Sequence, residues 1–276
     1  MKFFLEVAAV GTVGVLNNIL AAYFWITNPN YTKTFSVSDK LLRQWLYAAS
    51  VIVVVLLVAS DQPSGLASIG LLFLGGAANI LALLIGYFSM VFVLLGYTVI
   101  YNLARRLRGK GATPPTLDTS RPLTAETLSY RDKWERWATM SVLPFSVLSE
   151  DFVYRGFLVL LLGSKTGTYI PWAILSVLLS IMIHLYQGRN IRFILFHFLT
   201  ASFLVSLTVL THNVIATFAA HIVLDSIFFM QTWQIAAKLG ISNPPPPRTA
   251  QAKAGYLAFI SINIIIFFTA LVSALL

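Results

Sequence analysis

Eight apolar stretches of this chain, several of them almost without charge, lie near 3–26, 41–59, 77–103, 139–163, 169–187, 191–210, 212–237 and 254–276. A helix needs about 20 apolar residues to cross a hydrocarbon core of roughly 30 Å. In lipid each backbone polar group must also be satisfied within its own segment, which for runs of this length means helix. The runs therefore predict an all-α, polytopic transmembrane bundle of about eight spans. Bulk composition agrees, with 58% hydrophobic and 11% charged residues and a mean hydropathy of +0.80. The run 3–26 is too long for a signal-peptide core and no small-residue cleavage pattern follows it, so it reads as a retained span with Glu6 near its end. The uncharged run 66–104 allows two readings: one span preceded by a surface segment, or a hairpin of two broken at Gly75-Gly76, for nine in all.

The basic residues set the orientation. Arg105, Arg106, Arg108, Lys110, Arg121, Arg131, Lys133 and Arg136 outnumber the acids of the only long polar loop, which puts that loop in the cytoplasm. By parity Arg189, Arg192, Lys238, Arg248 and Lys253 are cytoplasmic too, the turn at Thr211-His212 faces outside, and only Lys165 falls on the wrong side. Lys33, Lys40 and Arg43 then favour a single span within 66–104 and an outside N-terminus. The chain divides into N-terminal transmembrane helices (1–104), a cytoplasmic basic loop (105–138), a transmembrane core holding the candidate site (139–237), and a Pro-rich connector with the last helix (238–276). The connector, Asn243-Pro244-Pro245-Pro246-Pro247-Arg248, cannot be helical. Trp25, Trp45, Trp172 and Trp233 lie near span ends as interfacial belts. Loop charges of this kind account for the net +9 without nucleic acid as a partner. A multi-pass protein of the plasma membrane is the expected setting, with the lipid bilayer as its solvent and its oligomeric state open.

Ionisable groups at membrane depth cost several kcal/mol unless paired or wet, so those inside a span mark function. Glu150, Asp151 and Arg155 interrupt one apolar helix, and Asp151 and Arg155 stand i, i+4 with the acid first, the favourable order for an ion pair. His184 ends an otherwise apolar span. His221 and Asp225 share a helix face at i, i+4. His197 and His212 have no comparable spacing and read as structural, His212 as exposed. A bland alternative exists for each group, namely a self-neutralising pair or a satisfied core histidine. There is no phosphate-binding loop, no His-Glu-x-x-His helix and no cysteine, so nucleotide hydrolysis, the usual zinc-protease arrangement and thiol chemistry lose their support. One glutamate and two histidines in a protein-lined cavity remain, enough to polarise a water, shuttle its proton and stabilise an oxyanion.

These residues resemble the CPBP membrane proteases, which include CaaX prenyl endopeptidases of the Ras-converting type and bacteriocin-processing enzymes. Their pattern is Glu-Glu-x-x-x-Arg, then Phe-x-x-x-His, then His-x-x-x-Asn or Asp. Glu150-Asp151-Phe152-Val153-Tyr154-Arg155, His184, and His221 through Asp225 follow it in order. Asp151 replaces the second glutamate, and Ser180 stands where phenylalanine is common. The resemblance implies an intramembrane endopeptidase of eight helices, with 139–237 as its catalytic core and a membrane-tethered substrate, either a prenylated C-terminus or a leader-bearing peptide. Glu150 and His184 would activate water, His221 and Asp225 would form the oxyanion side, and Asp151 with Arg155 would be a supporting ion pair. No cofactor is implied. A divalent metal is the alternative, because Glu150, His184, His221 and Asp225 are all acceptable ligands. An ionised carboxylate cannot donate to an oxyanion, so Asp225 either carries a proton or orients His221. A non-proteolytic immunity or scaffold protein of the same family, and a proton-coupled transporter, are the competing functions; the transporter lacks the expected internal repeat.

Overall fold

Among the described residues the apolar runs are helical apart from one or two residues at some of their ends, as a segment without water to bond its backbone must be. The computed structural model describes residues 2–19, 37–71, 76–107, 133–185 and 191–239, and further on residues 261, 264, 265, 267 and 268. Most of the basic loop, the Pro-rich connector and nearly all of the last span lie outside the described residues. No strand occurs among those described.

Helix α1 begins at Lys2–Val10 and widens into a π-helical turn at Gly11–Leu16. α2 is Val37–Ser60 and α3 is Gly76–Leu107. α4, Lys133–Asp151, continues through a π-helical stretch, Phe152–Leu162, into the short turn Gly163–Thr166. α5 is Ile170–His184, α6 is Ile191–Thr211 and α7 is Val214–Leu239. By length and composition, three helices can cross a membrane: Lys2–Ile19, Ala77–Ile100 and Ile194–Thr211. Gln44–Ser60, Ile170–His184 and Val214–Ile227 are shorter apolar helices. The long helix through α4 is absent from both groups, for it carries Glu150, Asp151 and Arg155 in its middle.

The run 66–104 holds a single long helix, α3. Before it, among the described residues, Gly65–Ile69 forms a 3₁₀ turn in which Ala67 is exposed and Ile69 fully buried. Gly70 follows at φ +77, where a Cβ would strike Leu160 and the backbone of Val214, and its carbonyl accepts from Val214 N at 3.2 Å. A second close approach joins α3 to α7. A Cβ at Gly86 would overlap the Ala216 carbonyl, and Ala82, Met90, Ala216, Ala220 and Leu224 form one buried cluster around it. Small residues let transmembrane backbones come this near. The innermost element is the π-helical stretch, every residue of which is buried. It packs against α2, α5, α6 and the 3₁₀ turn.

Candidate active site

Glu150 and Asp151 sit between two departures from regular α-helix. Pro144 lies one side of them, inside α4, and removes a backbone donor. The π-helical stretch begins on the other side at Phe152, and such segments are frequent at functional sites. Asp151 is fully buried and Arg155 nearly so, and Arg155 Nη1 donates to Asp151 Oδ1 at 3.2 Å. The pairing expected from the i, i+4 spacing is therefore present. Asp151 does more than that spacing foretold, because the same Oδ1 accepts from His221 Nδ1 on α7, also at 3.2 Å. That bond spans 70 positions of sequence and ties the third motif to the first. Asp151 Oδ2 and Arg155 Nε find no partner among the described residues, leaving hydrogen-bonding capacity at the heart of the cluster.

With Nδ1 committed to Asp151, His221 presents Nε2 to Asp225, whose Oδ1 is 3.9 Å away. At that distance the pair is electrostatic rather than a hydrogen bond. Asp225 is partly open while His221 is buried. Glu150, half-buried, lies within electrostatic range of His221, Arg155 and Asp151. His184, half-buried at the end of α5, lies within that range of Asp225 and His221. Its Nδ1 is 2.7 Å from the Ser180 carbonyl; a carbonyl only accepts, so Nδ1 carries a proton, and in the neutral ring Nε2 then bears the lone pair. All six residues singled out from the sequence thus lie in one neighbourhood built by α4, α5 and α7. Among the described residues, no three His, Asp or Glu side chains are grouped as ligands for a metal ion.

Sequence reasoning passed over two features. His197, taken as structural, stacks on His184 with ring centroids 4.6 Å apart and planes 21° apart. In addition, Asn18 Nδ2 of the first helix donates to the hydroxyls of Tyr47, at 2.6 Å, and Tyr154, at 3.1 Å. Both tyrosines lie within electrostatic range of Glu150. A polar residue in mid-span was the available signal for Asn18; His197 gave none, lying 13 positions from its partner. His212 is exposed at the turn before α7, as expected, at φ 47.

An all-helical integral membrane protein with a buried carboxylate–imidazole cluster is the class these features define. Within that class, residues 132–227 match the family model of Rce1-like type II CAAX prenyl endopeptidases, the family its motifs resemble. All six residues lie inside the matched stretch, and helices α1 to α3 lie outside it. The match supports a protease. No curated protein and no solved structure matches the chain.

Proposed function

We propose that the chain is an intramembrane endopeptidase that cleaves a membrane-tethered substrate with a water activated by Glu150 and His184. The observation that carries this reading is the double use of Asp151 Oδ1 by Arg155 and His221, which gathers the motif residues around one point inside the stretch that matches the endopeptidase family. The Glu150 carboxylate takes one proton from water as the water oxygen bonds to the scissile carbonyl carbon, while the remaining O–H donates a hydrogen bond to His184 Nε2. The carbonyl pair moves onto oxygen, where His221 faces it with Asp225 behind. Collapse of this adduct breaks the C–N bond and returns the proton to the leaving nitrogen. No step needs a metal or a cofactor.

An apolar cavity of about 410 Å³ supports a lipid-like group on the substrate, such as a prenylated C-terminus or an apolar leader. Its wall includes Leu148 and Phe152, which flank the carboxylates in sequence, together with Ile52, Ile80 and Ile215. The proposed setting is a multi-pass fold of eight spans in the plasma membrane, with 139–237 as its catalytic core. Mass spectrometry of protein termini tests the reading, comparing membranes of cells that express the wild-type chain or Glu150→Ala at equal level. Termini that depend on Glu150 are expected and would name candidate substrates. An identical set in the two membranes refutes proteolysis by this site.

A further inference from the structure

We infer that His197 is a positioning residue: its ring, stacked on His184, holds that imidazole in the orientation and tautomer required to accept a hydrogen bond from the attacking water at Nε2. The inference rests on the proposed role of His184 and adds a residue outside the three motifs. His184 is the last residue of α5, so no further turn of its own helix cages the ring. Among the described residues, two contacts orient the ring. The Nδ1 bond to the Ser180 carbonyl at 2.7 Å fixes which edge points back along the helix. That bond alone leaves the ring able to swing about it. The face-to-face contact with His197, at 4.6 Å and 21°, fixes the plane and lies within the range that aromatic pairs prefer. Together they favour one orientation, in which Nδ1 carries the proton and, in the neutral ring, Nε2 offers its lone pair.

The two rings belong to different helices, α5 and α6, which pack against each other. Thr200 Oγ1, one turn beyond His197, bonds the His197 carbonyl at 3.2 Å and the Phe196 carbonyl at 3.0 Å. The Phe196 ring meets the His197 ring edge-on at 5.5 Å. Ser180 contributes a carbonyl to His184 but no ring, so the aromatic partner comes from the neighbouring helix. The positioning role requires the flat face of the stacked ring, and this makes the inference separable from ordinary packing: if the face is what counts, a flat ring that cannot titrate should serve as well.

The test uses the full chain in nanodiscs, labelled with ¹⁵N-histidine. It has four histidines, so each ring can be assigned by substitution. Wild type, His197→Phe and His197→Ala are compared for the tautomer of His184 and for cleavage of a fluorogenic farnesylated CaaX peptide, with Glu150→Ala as the blank. Wild type and His197→Phe should both show His184 protonated at Nδ1, and their kcat should agree within about 3-fold. His197→Ala should show mixed tautomers and lose at least about 10-fold in kcat at little-changed KM, the scale expected when a reacting group is misplaced. An unchanged His184 tautomer in His197→Ala overturns the inference, and so does a His197→Phe variant as impaired as His197→Ala. If the wild type shows no Glu150-dependent cleavage of the peptide, the endopeptidase reading fails for that substrate class, and the tautomer comparison still decides the role of His197.

Discussion

Asp151 is the residue on which most of the cluster depends, because one of its oxygens takes both the Arg155 guanidinium and the His221 imidazole. Removing one partner of a buried ion pair leaves the other charge uncompensated, at a cost of about 3–5 kcal/mol. Asp151→Ala should therefore unfold at markedly lower temperature in detergent. The double variant Asp151→Leu/Arg155→Met should recover the part of that loss owed to the unpaired guanidinium, though not the part owed to His221 and not cleavage, since a well-packed apolar pair often equals a buried ionic one. A double variant no more stable than Asp151→Ala would contradict this account. Asp225 makes a different prediction. If it donates to the oxyanion, Asp225→Asn should keep most of the activity that Asp225→Ala loses, measured as kcat on the same peptide. Equal losses would leave only the orienting role toward His221. Much of this cluster could be read from local spacing: Asp151 with Arg155, and His221 with Asp225, are one helical turn apart. The bond from Asp151 to His221 could not, because it depends on where α7 lies against α4. His197 was passed over for the same reason, its partner lying on another helix.

Individual elements obey the apolar pattern closely, and their departures from it coincide with the site. The charges that keep the long helix through α4 from qualifying as a plain span are the motif itself. Helix α3 shows how a neighbour fixes α7, the carrier of His221 and Asp225. Gly86→Leu would drive a side chain into the Ala216 carbonyl and force the two helices apart. Overpacking of this kind costs about 1–3 kcal/mol. Gly96→Leu, on the same helix but with nothing within 4 Å of its would-be Cβ, should be tolerated. Thermal unfolding of both variants in detergent checks the contrast; similar melting would remove Gly86 from the account of how α7 is held. The sequence pattern located α3 but not its pre-turn, because buried 3₁₀ segments and lipid-facing runs have the same apolar composition. Only the fold tells Ile69, sealed inside, from Ile80, largely exposed.

At the scale of the whole molecule, the segments that parity assigns to one face meet at one end of the bundle. Lys2 pairs with Asp61, Lys165 pairs with Glu6, Gln62 donates to Glu6 at 2.9 Å, and His212 meets the Tyr169 ring edge-on. The chain lacks cysteine, so single cysteines can report the side on which each segment lies. Pro63→Cys, Thr168→Cys and His212→Cys, all at exposed positions, should react with an impermeant maleimide in intact cells, and Arg106→Cys only after lysis. Labelling split among the first three would break the alternating topology. Lys165, out of place in the charge pattern, is explained by its carboxylate partner, as is Lys2 at the same end. The Lys165 pair also imposes an order on biogenesis. Glu6 enters the translocon with the first helix, while Lys165 is synthesised 159 residues later, a delay of roughly 8 to 32 s at ordinary translation rates of about 5–20 residues per second. For most of that interval Gln62, made 56 residues after Glu6, is the partner its carboxylate has to hand, and the ion pair closes only when the helix through α4 has been inserted.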